Sequence, residues 1–331
     1  MRAWEQSRSF SRRGFMGCGA AAAVGGLQAA HAQTVAPAVP GAPDDEAARV
    51  AAASDSSKHL TVPVFIGGVG PFHFVVDTGA DRSVIADDVA IRLGLVRGHQ
   101  VTVQGVVRTV PSQLVAVADI SFGSIQRRNL AIPVLPRALM GADGYLGLDA
   151  VDGTRVTLDF KNQELVVGNS SPSGFLRLLR PSETTVPVSG KMGHLRSMNC
   201  RIDGVSTVCF FDTGAEISVG NSVLFRELLA TNPEYKVLGM LPITGITGGV
   251  IMGKVVRLGA IRLHSLTFTD AAVAIADMQI FDVWELGQQP ALLVGMNWLR
   301  QFDRVSIDFR MKELRFDMAS MVVARADTRE L

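Results

Sequence analysis

The chain has 331 residues, of which 47% are hydrophobic and 19% charged, and its formal net charge at pH 7 is +1. This length suits two domains of ordinary size, and the composition is that of a globular protein. A net charge near zero gives no sign of a nucleic-acid partner or of binding to an anionic membrane surface.

The first 32 residues resemble an export signal. Residues 11–16 (SRRGFM) match the twin-arginine motif, an Ala/Gly-rich apolar run follows, and residues 30–32 (AHA) have the small-x-small cleavage pattern. We therefore predict cleavage after Ala32 and an exported mature protein, periplasmic or secreted, with no stable membrane insertion. The alternative is an uncleaved transmembrane anchor, although the run is short and weakly hydrophobic for spanning a bilayer.

The chain after the signal divides by composition and periodicity. An aperiodic stretch rich in Ala, Pro and Asp predicts a disordered spacer. Short apolar runs with period two, interrupted by glycine, then predict strands rather than helices. A polar stretch (NSSPSG) predicts a linker between two such regions. The predicted boundaries are spacer 33–58, first unit 59–168, linker 169–185, second unit 186–318 and tail 319–331.

The second unit repeats the first almost element by element. In each, an apolar strand runs into Asp-Thr-Gly, at residues 74–80 (FVVDTGA) and 210–215 (FFDTGA). Each also has a later apolar-apolar-Gly segment, at residues 145–147 (YLG) and 293–295 (LVG), followed by a closing hairpin. The same elements in the same order indicate an internal duplication of a β unit.

On these paired motifs, each unit resembles one subunit of a retropepsin-like aspartic protease. The resemblance covers nearly all of residues 59–318. It implies an all-β fold of two β-barrel lobes related by a pseudo-twofold axis, with short helices. In that family the apolar-apolar-Gly segment forms a psi-shaped loop behind the catalytic aspartate. The implied substrate is a peptide or protein, the lobes pair within one monomeric chain, and no metal or organic cofactor is expected.

Asp77 and Asp212 are the predicted catalytic pair of an exported aspartic endopeptidase. Two carboxylates about 3 Å apart cannot both ionise easily, so the pair holds one proton. The ionised member can take a proton from a water molecule, while the protonated member donates to the peptide carbonyl oxygen. Two alternatives stay open, namely a non-catalytic peptide-binding module with this fold and a protease whose halves pair between chains.

The resemblance also implies supporting roles for the residues that follow each aspartate. Thr78 and Thr213 would hydrogen-bond across the interface and hold the two loops together. Gly79 and Gly214 would let the substrate backbone approach. The site is thus predicted to be built from two copies of one loop.

Two acids and two glycines are tentative substrate-binding residues. Asp81 and Glu216 stand where the family uses an acid to bind the substrate backbone, but this chain lacks the arginine that often steadies that acid. Gly105 and Gly248 lie where the tips of flap hairpins are expected. The alternatives are a solvated turn acid for the first two residues and ordinary hairpin turns for the glycines.

The cysteines and histidines give weaker indications. Cys200 and Cys209 flank one predicted hairpin as diagonal neighbours, so a disulfide between them needs some slippage of the strands and stays open. The six histidines show no metal-binding spacing, and we predict no metal site.

Overall fold

The computed structural model describes residues 48–51, 53–54, 60–170, 183–189, 195–264 and 266–317. All of these belong to one compact unit. The predicted signal peptide at 1–32 and the predicted tail at 319–331 lie outside the described residues. In the part of the chain that is described, no helix combines the length and the apolar character needed to cross a bilayer.

Strands dominate the fold, as the period-two pattern predicts. The strands are β1 (Ala48–Ala51), β2 (Ala53–Ser54), β3 (Leu60–Ile66), β4 (Val69–Val76), β5 (Val84–Ala86), β6 (Arg97–Gln104), β7 (Thr109–Phe122), β8 (Ile125–Leu135), β9 (Gly144–Leu146), β10 (Thr154–Asp159), β11 (Glu164–Asn169), β12 (Glu183–Pro187), β13 (Arg196–Ile202), β14 (Val205–Phe211), β15 (Val219–Gly220), β16 (Val237–Thr244), β17 (Val250–Leu263), β18 (Leu266–Ile275), β19 (Ala291–Val294), β20 (Arg304–Asp308) and β21 (Glu313–Asp317). The helices are α1 (Asp87–Arg92), α2 (Arg137–Met140), α3 (Leu148–Val151), α4 (Ser222–Thr231), α5 (Gln279–Val283) and α6 (Met296–Leu299).

Two closed barrels form the lobes. In the first, the strands follow the order β3-β4-β9-β5-β8-β7, and β7 pairs again with β3 to close the ring. In the second, the order is β13-β14-β19-β15-β18-β17, and β17 pairs with β13. Alternate side chains of each strand point inward, so that residues such as Val62, Phe74 and Ile202 are fully buried. The predicted all-β fold of two β-barrel lobes is confirmed.

A third sheet joins the two lobes. Its six strands follow the order β1-β11-β10-β20-β21-β12, with the closing hairpin of each lobe at its centre. β10 and β20 run antiparallel, and Thr157 lies directly opposite Ser306 with their hydroxyls 2.9 Å apart. The hairpins that end the two units therefore pair with each other and make one continuous structure.

Charged pairs flank that central contact symmetrically. Arg155 Nε donates to Asp308 Oδ2 at 3.1 Å, and Arg304 Nη2 donates to Asp159 Oδ2 at 2.6 Å. Both carboxylates are buried, so the arginines compensate charges that would otherwise be costly to desolvate. Each lobe supplies one arginine and one aspartate, which is the pattern that a pseudo-twofold axis produces.

Parts of the predicted spacer and linker are strands, which corrects the prediction of disorder for the end of the spacer. β1 pairs with β11 and β2 pairs with β3, although both lie within residues 33–58. β12 begins within the predicted linker and pairs with β21. Ladder hydrogen bonds use backbone groups alone, so a side-chain composition typical of loops does not exclude pairing at the open edge of a sheet.

Candidate active site

Each Asp-Thr-Gly loop is positioned by two parallel strands. β4 lies beside β9 in the first lobe, and β14 lies beside β19 in the second. The Asp77 amide donates to the Leu146 carbonyl at 2.9 Å, and the Asp212 amide donates to the Val294 carbonyl at 3.0 Å. The predicted apolar-apolar-Gly segments thus fix the point at which each aspartate leaves its strand.

The two threonines connect the loops reciprocally. The Thr78 amide donates to Thr213 Oγ1 at 3.2 Å, and the Thr213 amide donates to Thr78 Oγ1 at 3.0 Å. Each hydroxyl then donates into the other lobe, Thr78 to the Phe211 carbonyl at 2.9 Å and Thr213 to the Val76 carbonyl at 2.6 Å. Both threonines are buried, so these bonds satisfy groups that water cannot reach.

The carboxyl groups of Asp77 and Asp212 lie close to each other, because each lies against the glycine that follows the other aspartate. Gly79 donates its amide to Asp77 Oδ1 at 2.9 Å, and Gly214 donates its amide to Asp212 Oδ1 at 2.8 Å. Only 9% of Asp77 and 4% of Asp212 is exposed. Each carboxyl is therefore held by its own loop and faces its counterpart from the other lobe.

The glycines admit the opposite carboxyl group. A Cβ added to Gly79 would lie 2.6 Å from Asp212 Oδ2, and one added to Gly214 would lie 2.5 Å from Asp77 Cγ. Any side chain at either position would force the aspartates apart. In this structure the contact that requires glycine is with the other aspartate, whereas the sequence predicted one with the substrate backbone.

The surroundings of Asp77 raise the pKa of its carboxyl well above the ordinary range. Burial is the largest cause, the charge of Asp212 is the second, and the hydrogen bond to Asp212 adds to them. Backbone amides of Gly79 and Ala80 oppose the shift. The arrangement favours a pair that retains one proton at a pH where isolated aspartates are ionised.

A comparison with protein families decides the assignment. A family model described as aspartyl protease matches the chain twice, over residues 62–150 and 198–298. These two regions make up more than half of the chain, and each contains one barrel and one Asp-Thr-Gly loop. The chain belongs to the aspartyl protease family. A search of curated proteins finds no match.

In this aspartyl protease a serine fastens each Asp-Thr-Gly loop to the psi-loop of the same lobe. Ser83 Oγ donates to Asp149 Oδ1 at 2.7 Å and accepts from the Gly147 amide at 3.1 Å. The counterparts in the second lobe are Ser218, Asn297 and Gly295. The sequence reasoning missed these contacts. Their signal is a serine at the same place after each aspartate, and an Asp or Asn at the same place after each psi-loop glycine.

The two tentative acids lie beside the psi-loops with exposed side chains. The Asp81 carbonyl accepts from the Asp149 amide at 3.2 Å, and the Glu216 carbonyl accepts from the Asn297 amide at 2.9 Å. The two acids therefore occupy equivalent places in the two lobes. The psi-loops that hold the aspartates therefore also hold the backbone of both acids.

The two tentative glycines lie at hairpin tips that contact each other. Arg108 Nε donates to the Thr247 carbonyl at 2.9 Å, and Thr247 Oγ1 donates to the Arg108 carbonyl at 2.8 Å. Gly105 is buried against Thr247, and an added Cβ would collide with its hydroxyl. Gly248 has φ +76°, and its amide closes the turn on the Gly245 carbonyl at 2.8 Å. We call this contact, formed by Arg108 and Thr247, the tip contact.

The first-lobe tip also packs into the second lobe. Val106 contacts the apolar cluster that contains Phe210 and Trp284. Ala215 and Ile217, which closely follow Asp212, contact the same cluster. The tip of the β6–β7 hairpin therefore packs on the same apolar cluster as the residues that closely follow the aspartate of the opposite lobe.

Within the described ranges, no group of three or more His, Cys, Asp or Glu side chains is arranged to hold a metal ion. Cys200 and Cys209 are both buried and both free thiols.

Proposed function

We propose that this aspartyl protease is an exported endopeptidase in which Asp77 and Asp212 form one catalytic pair. The observation that carries the proposal is the close approach of two buried carboxyl groups, one from each lobe. Peptide binding alone has no need for two acids in contact, since a buried like-charge pair is costly to maintain. Such a pair is suited to moving one proton during hydrolysis.

The reaction follows from a pair that holds a single proton. The ionised carboxyl removes a proton from a water molecule, whose oxygen attacks the peptide carbonyl carbon, while the protonated carboxyl donates to the carbonyl oxygen. The product is a neutral tetrahedral diol. A diol hydroxyl then returns its proton to a carboxylate, the amide nitrogen takes a proton from the other carboxyl, and the C–N bond breaks. The pair ends with one proton, as it began.

The remaining site residues position the pair or the substrate. Thr78 and Thr213 keep the loops in register, and Gly79 and Gly214 allow the carboxyl groups to meet. Asp81 and Glu216 bind the substrate backbone, one on each side of the pair. The hairpins that end at Gly105 and Gly248 close over the bound peptide.

Pairing of the lobes within one chain is supported by the reciprocal threonine bonds and by the shared sheet. The sheet places β10 of the first lobe against β20 of the second. Separating the lobes would expose the buried Asp159 and Asp308 together with their arginines. A monomer with one complete site is therefore the proposed active form.

The deciding experiment is cleavage of a peptide library by the purified protein, with Asp77→Asn and Asp212→Asn as matched variants. We expect cleavage that a statine-type inhibitor blocks, and a loss of roughly a thousandfold or more in each variant, since acid–base groups contribute about 10²–10⁴-fold each. Peptide binding without cleavage would support a binding module instead. Recovery of activity on mixing the two variants would show that halves pair between chains.

Export is tested separately. We expect the mature protein to begin at Gln33, and the double change Arg12→Lys with Arg13→Lys to leave the precursor in the cytoplasm. Intact-mass measurement of the exported protein checks the first expectation. An exported protein that still carries residues 1–32 would contradict the cleavage site and support an anchor.

A further inference from the structure

An open cavity of about 600 Å³ lies on the outer face of the second barrel, where β14, β13 and β17 run side by side. One row of lining residues crosses these strands, with Ser206 opposite Arg201 and Arg201 opposite Arg262. The neighbouring cross-strand pair, Ile202 and Ile261, is buried inside the barrel, so the two arginines point outward. The row therefore brings two guanidinium groups and a hydroxyl to one cavity.

The described lining of this cavity is cationic and rich in hydrogen-bond donors. It also includes His264 and Asn199, and none of the described lining residues is acidic. Arg201 Nη1 donates to the Gly204 carbonyl at 3.2 Å, which uses one of the five N–H donors of the guanidinium. Neither Arg201 nor Arg262 forms an ion pair with a described acid. Among the described residues, the positive charge of the cavity is thus uncompensated.

The barrel architecture does not require the two arginines. Like charges directly opposite each other destabilise a pair of strands. In the first lobe, the equivalent cross-strand pair of β3 and β7 is Phe65 and Ser121. The same barrel therefore forms with neutral residues at these two positions, and the arginine pair is a property of the second lobe alone.

The turn that borders the cavity shows the same difference between the lobes. His264 stands in the two-residue turn between β17 and β18 with φ +56°, and its counterpart between β7 and β8 is Gly123 with φ +57°. The left-handed region is more favourable for glycine than for histidine. The second lobe therefore departs from the first at three cavity positions, and each time it has a side chain with N–H donors.

These donors suit a phosphate group. A guanidinium can donate two parallel bonds to a phosphate, whose terminal oxygens offer more acceptors than the two of a carboxylate. The cavity volume lies within the range of about 300–1,000 Å³ that is usual for small-molecule sites, and it is larger than a bare phosphate ion fills. Met198, which is 59% exposed, adds an apolar side chain to the lining. We propose that the cavity binds a small phosphate monoester, with its phosphate held by Arg201 and Arg262 and its organic part against Met198.

This site is separate from the aspartate pair. Ser206 lies six residues before Asp212 along β14, a distance of roughly 20 Å for an extended strand. A small ligand in the cavity does not touch the catalytic carboxyl groups. The proposal therefore stands independently of peptide cleavage and is tested by binding.

The test is a titration of the full chain, labelled with ¹⁵N-arginine, with phenyl phosphate at constant ionic strength. The NMR signals of the Nε–H groups of Arg201 and Arg262 are assigned by their loss in Arg201→Gln and Arg262→Gln. We expect both signals to shift until saturation, and each variant to bind about tenfold more weakly, because each loses charge-assisted hydrogen bonds. Inorganic phosphate should bind at least about threefold more weakly than the ester, and neutral phenol should cause no shift.

Arg257→Gln is the matched control, because this exposed arginine of β17 is paired with Asp270 and does not line the cavity. It should leave the affinity for phenyl phosphate unchanged, and circular dichroism verifies that all three variants are folded. Unshifted signals, or equal weakening by the control, would overturn the site.

Two further arms test the class of ligand. Equal affinity for inorganic phosphate and phenyl phosphate would overturn the assignment of an ester and leave a site for a simple ion. Vesicles of phosphatidylcholine with and without phosphatidic acid test a lipid headgroup as the source of the phosphate, and we expect no cosedimentation with either. Binding to the phosphatidic acid vesicles without binding of phenyl phosphate would assign a lipid surface instead and overturn the small-molecule proposal.

Discussion

The two lobes are near copies at the aspartate pair and in the shared sheet, and they differ in their hairpin tips and in some of their connections. The Asp-Thr-Gly loops exchange the same bonds in both directions, from Thr78 to Thr213 and back. The connection between β8 and β9, by contrast, has only the short helix α2, whereas that between β18 and β19 carries α5 and a ring of Trp284 stacked 3.6 Å from Phe210. The contacts between the lobes are thus reciprocal at the Asp77–Asp212 pair and in the shared sheet.

This difference has a physical cause. In a dimer of identical subunits, every substitution appears on both sides of the axis, whereas in a duplicated single chain each half changes alone. A change at the threonines or aspartates damages both halves of one site, so the halves stay alike there. A change in a hairpin tip or a connection affects one side only, and this allows one-sided contacts such as that of Val106 with the second-lobe cluster.

The largest expected effect tests the reciprocity of the threonines. Thr213→Val removes the hydroxyl that accepts from the Thr78 amide and donates to the Val76 carbonyl, leaving two buried groups unpaired. We expect a loss of about 2–6 kcal/mol in the free energy of unfolding, since each such group costs about 1–3 kcal/mol, together with loss of cleavage. Chemical denaturation and peptide cleavage measure the two effects.

Thr78→Val should have the same effect to within experimental scatter, because its bonds mirror those of Thr213. Thr213→Ser is the matched control, since it keeps the hydroxyl and should retain most of the stability and activity. Unequal effects of the two valine changes would mean that one lobe dominates the connection, and the symmetric description would be wrong.

The second prediction concerns the close approach of the carboxyl groups. Gly79→Ala and Gly214→Ala each place a methyl group against the opposite aspartate, and overpacking of this kind costs about 1–3 kcal/mol. We expect both variants to fold and both to lose cleavage activity, as measured by thermal unfolding and peptide hydrolysis. Gly239→Ala is the control, because nothing lies within 4 Å of its added Cβ. Activity retained in both site variants would contradict a direct contact of the carboxyl groups.

Repetition explains what the sequence could predict. Asp77 and Asp212 stand in repeated motifs, and an apolar strand before Asp-Thr-Gly specifies its local structure, so both lobes and the aspartate pair could be anticipated. The shared sheet could not, because Thr157 and Ser306 belong to hairpins that look complete by themselves. The contact between Arg108 and Thr247 joins positions without any repeated pattern. Nothing local in the sequence indicates such a long-range pairing.

The third prediction compares two kinds of buried aspartate by pH. For Asp77, burial and then the charge of Asp212 raise the pKa of the carboxyl in the folded protein above its unfolded value. Its favourable contribution to the free energy of unfolding is therefore complete below the unfolded pKa, at about pH 4, and is lost as the pH rises through the folded pKa. Asp77→Asn should therefore be a few degrees more stable than the unaltered protein near pH 7, and this gain should vanish at about pH 4. Thermal unfolding across pH measures it.

The pH dependence of stability that Asp159 confers should have the opposite sign. Burial raises its pKa, but hydrogen bonds from Arg304 and Asn162 outweigh burial and lower it overall. Its contribution is present above the unfolded pKa and is lost as pH falls through the folded value. Asp159→Asn should thus be less stable than the unaltered protein near pH 7, with the difference shrinking in acid. The same pH trend in both variants would refute the contrast between a repelling pair and a compensated one.

The smallest expected effect concerns the tip contact, to which the two hairpins contribute different residues, Arg108 and Thr247. Arg108→Ala removes the bond to the Thr247 carbonyl, and Thr247→Val removes the bond to the Arg108 carbonyl. Each bond is worth about 0.5–1.5 kcal/mol, so we expect little change in unfolding but faster hydrogen exchange at both tips. If the tips must separate to admit a peptide, kcat/KM for long peptides should rise up to roughly tenfold, the equivalent of about 1.4 kcal/mol.

The control is Arg97→Ala, which removes the charge of an exposed arginine at the base of the β6–β7 hairpin. Unchanged exchange in both tip variants, or an equal effect of Arg97→Ala, would mean that this contact does not hold the hairpins closed.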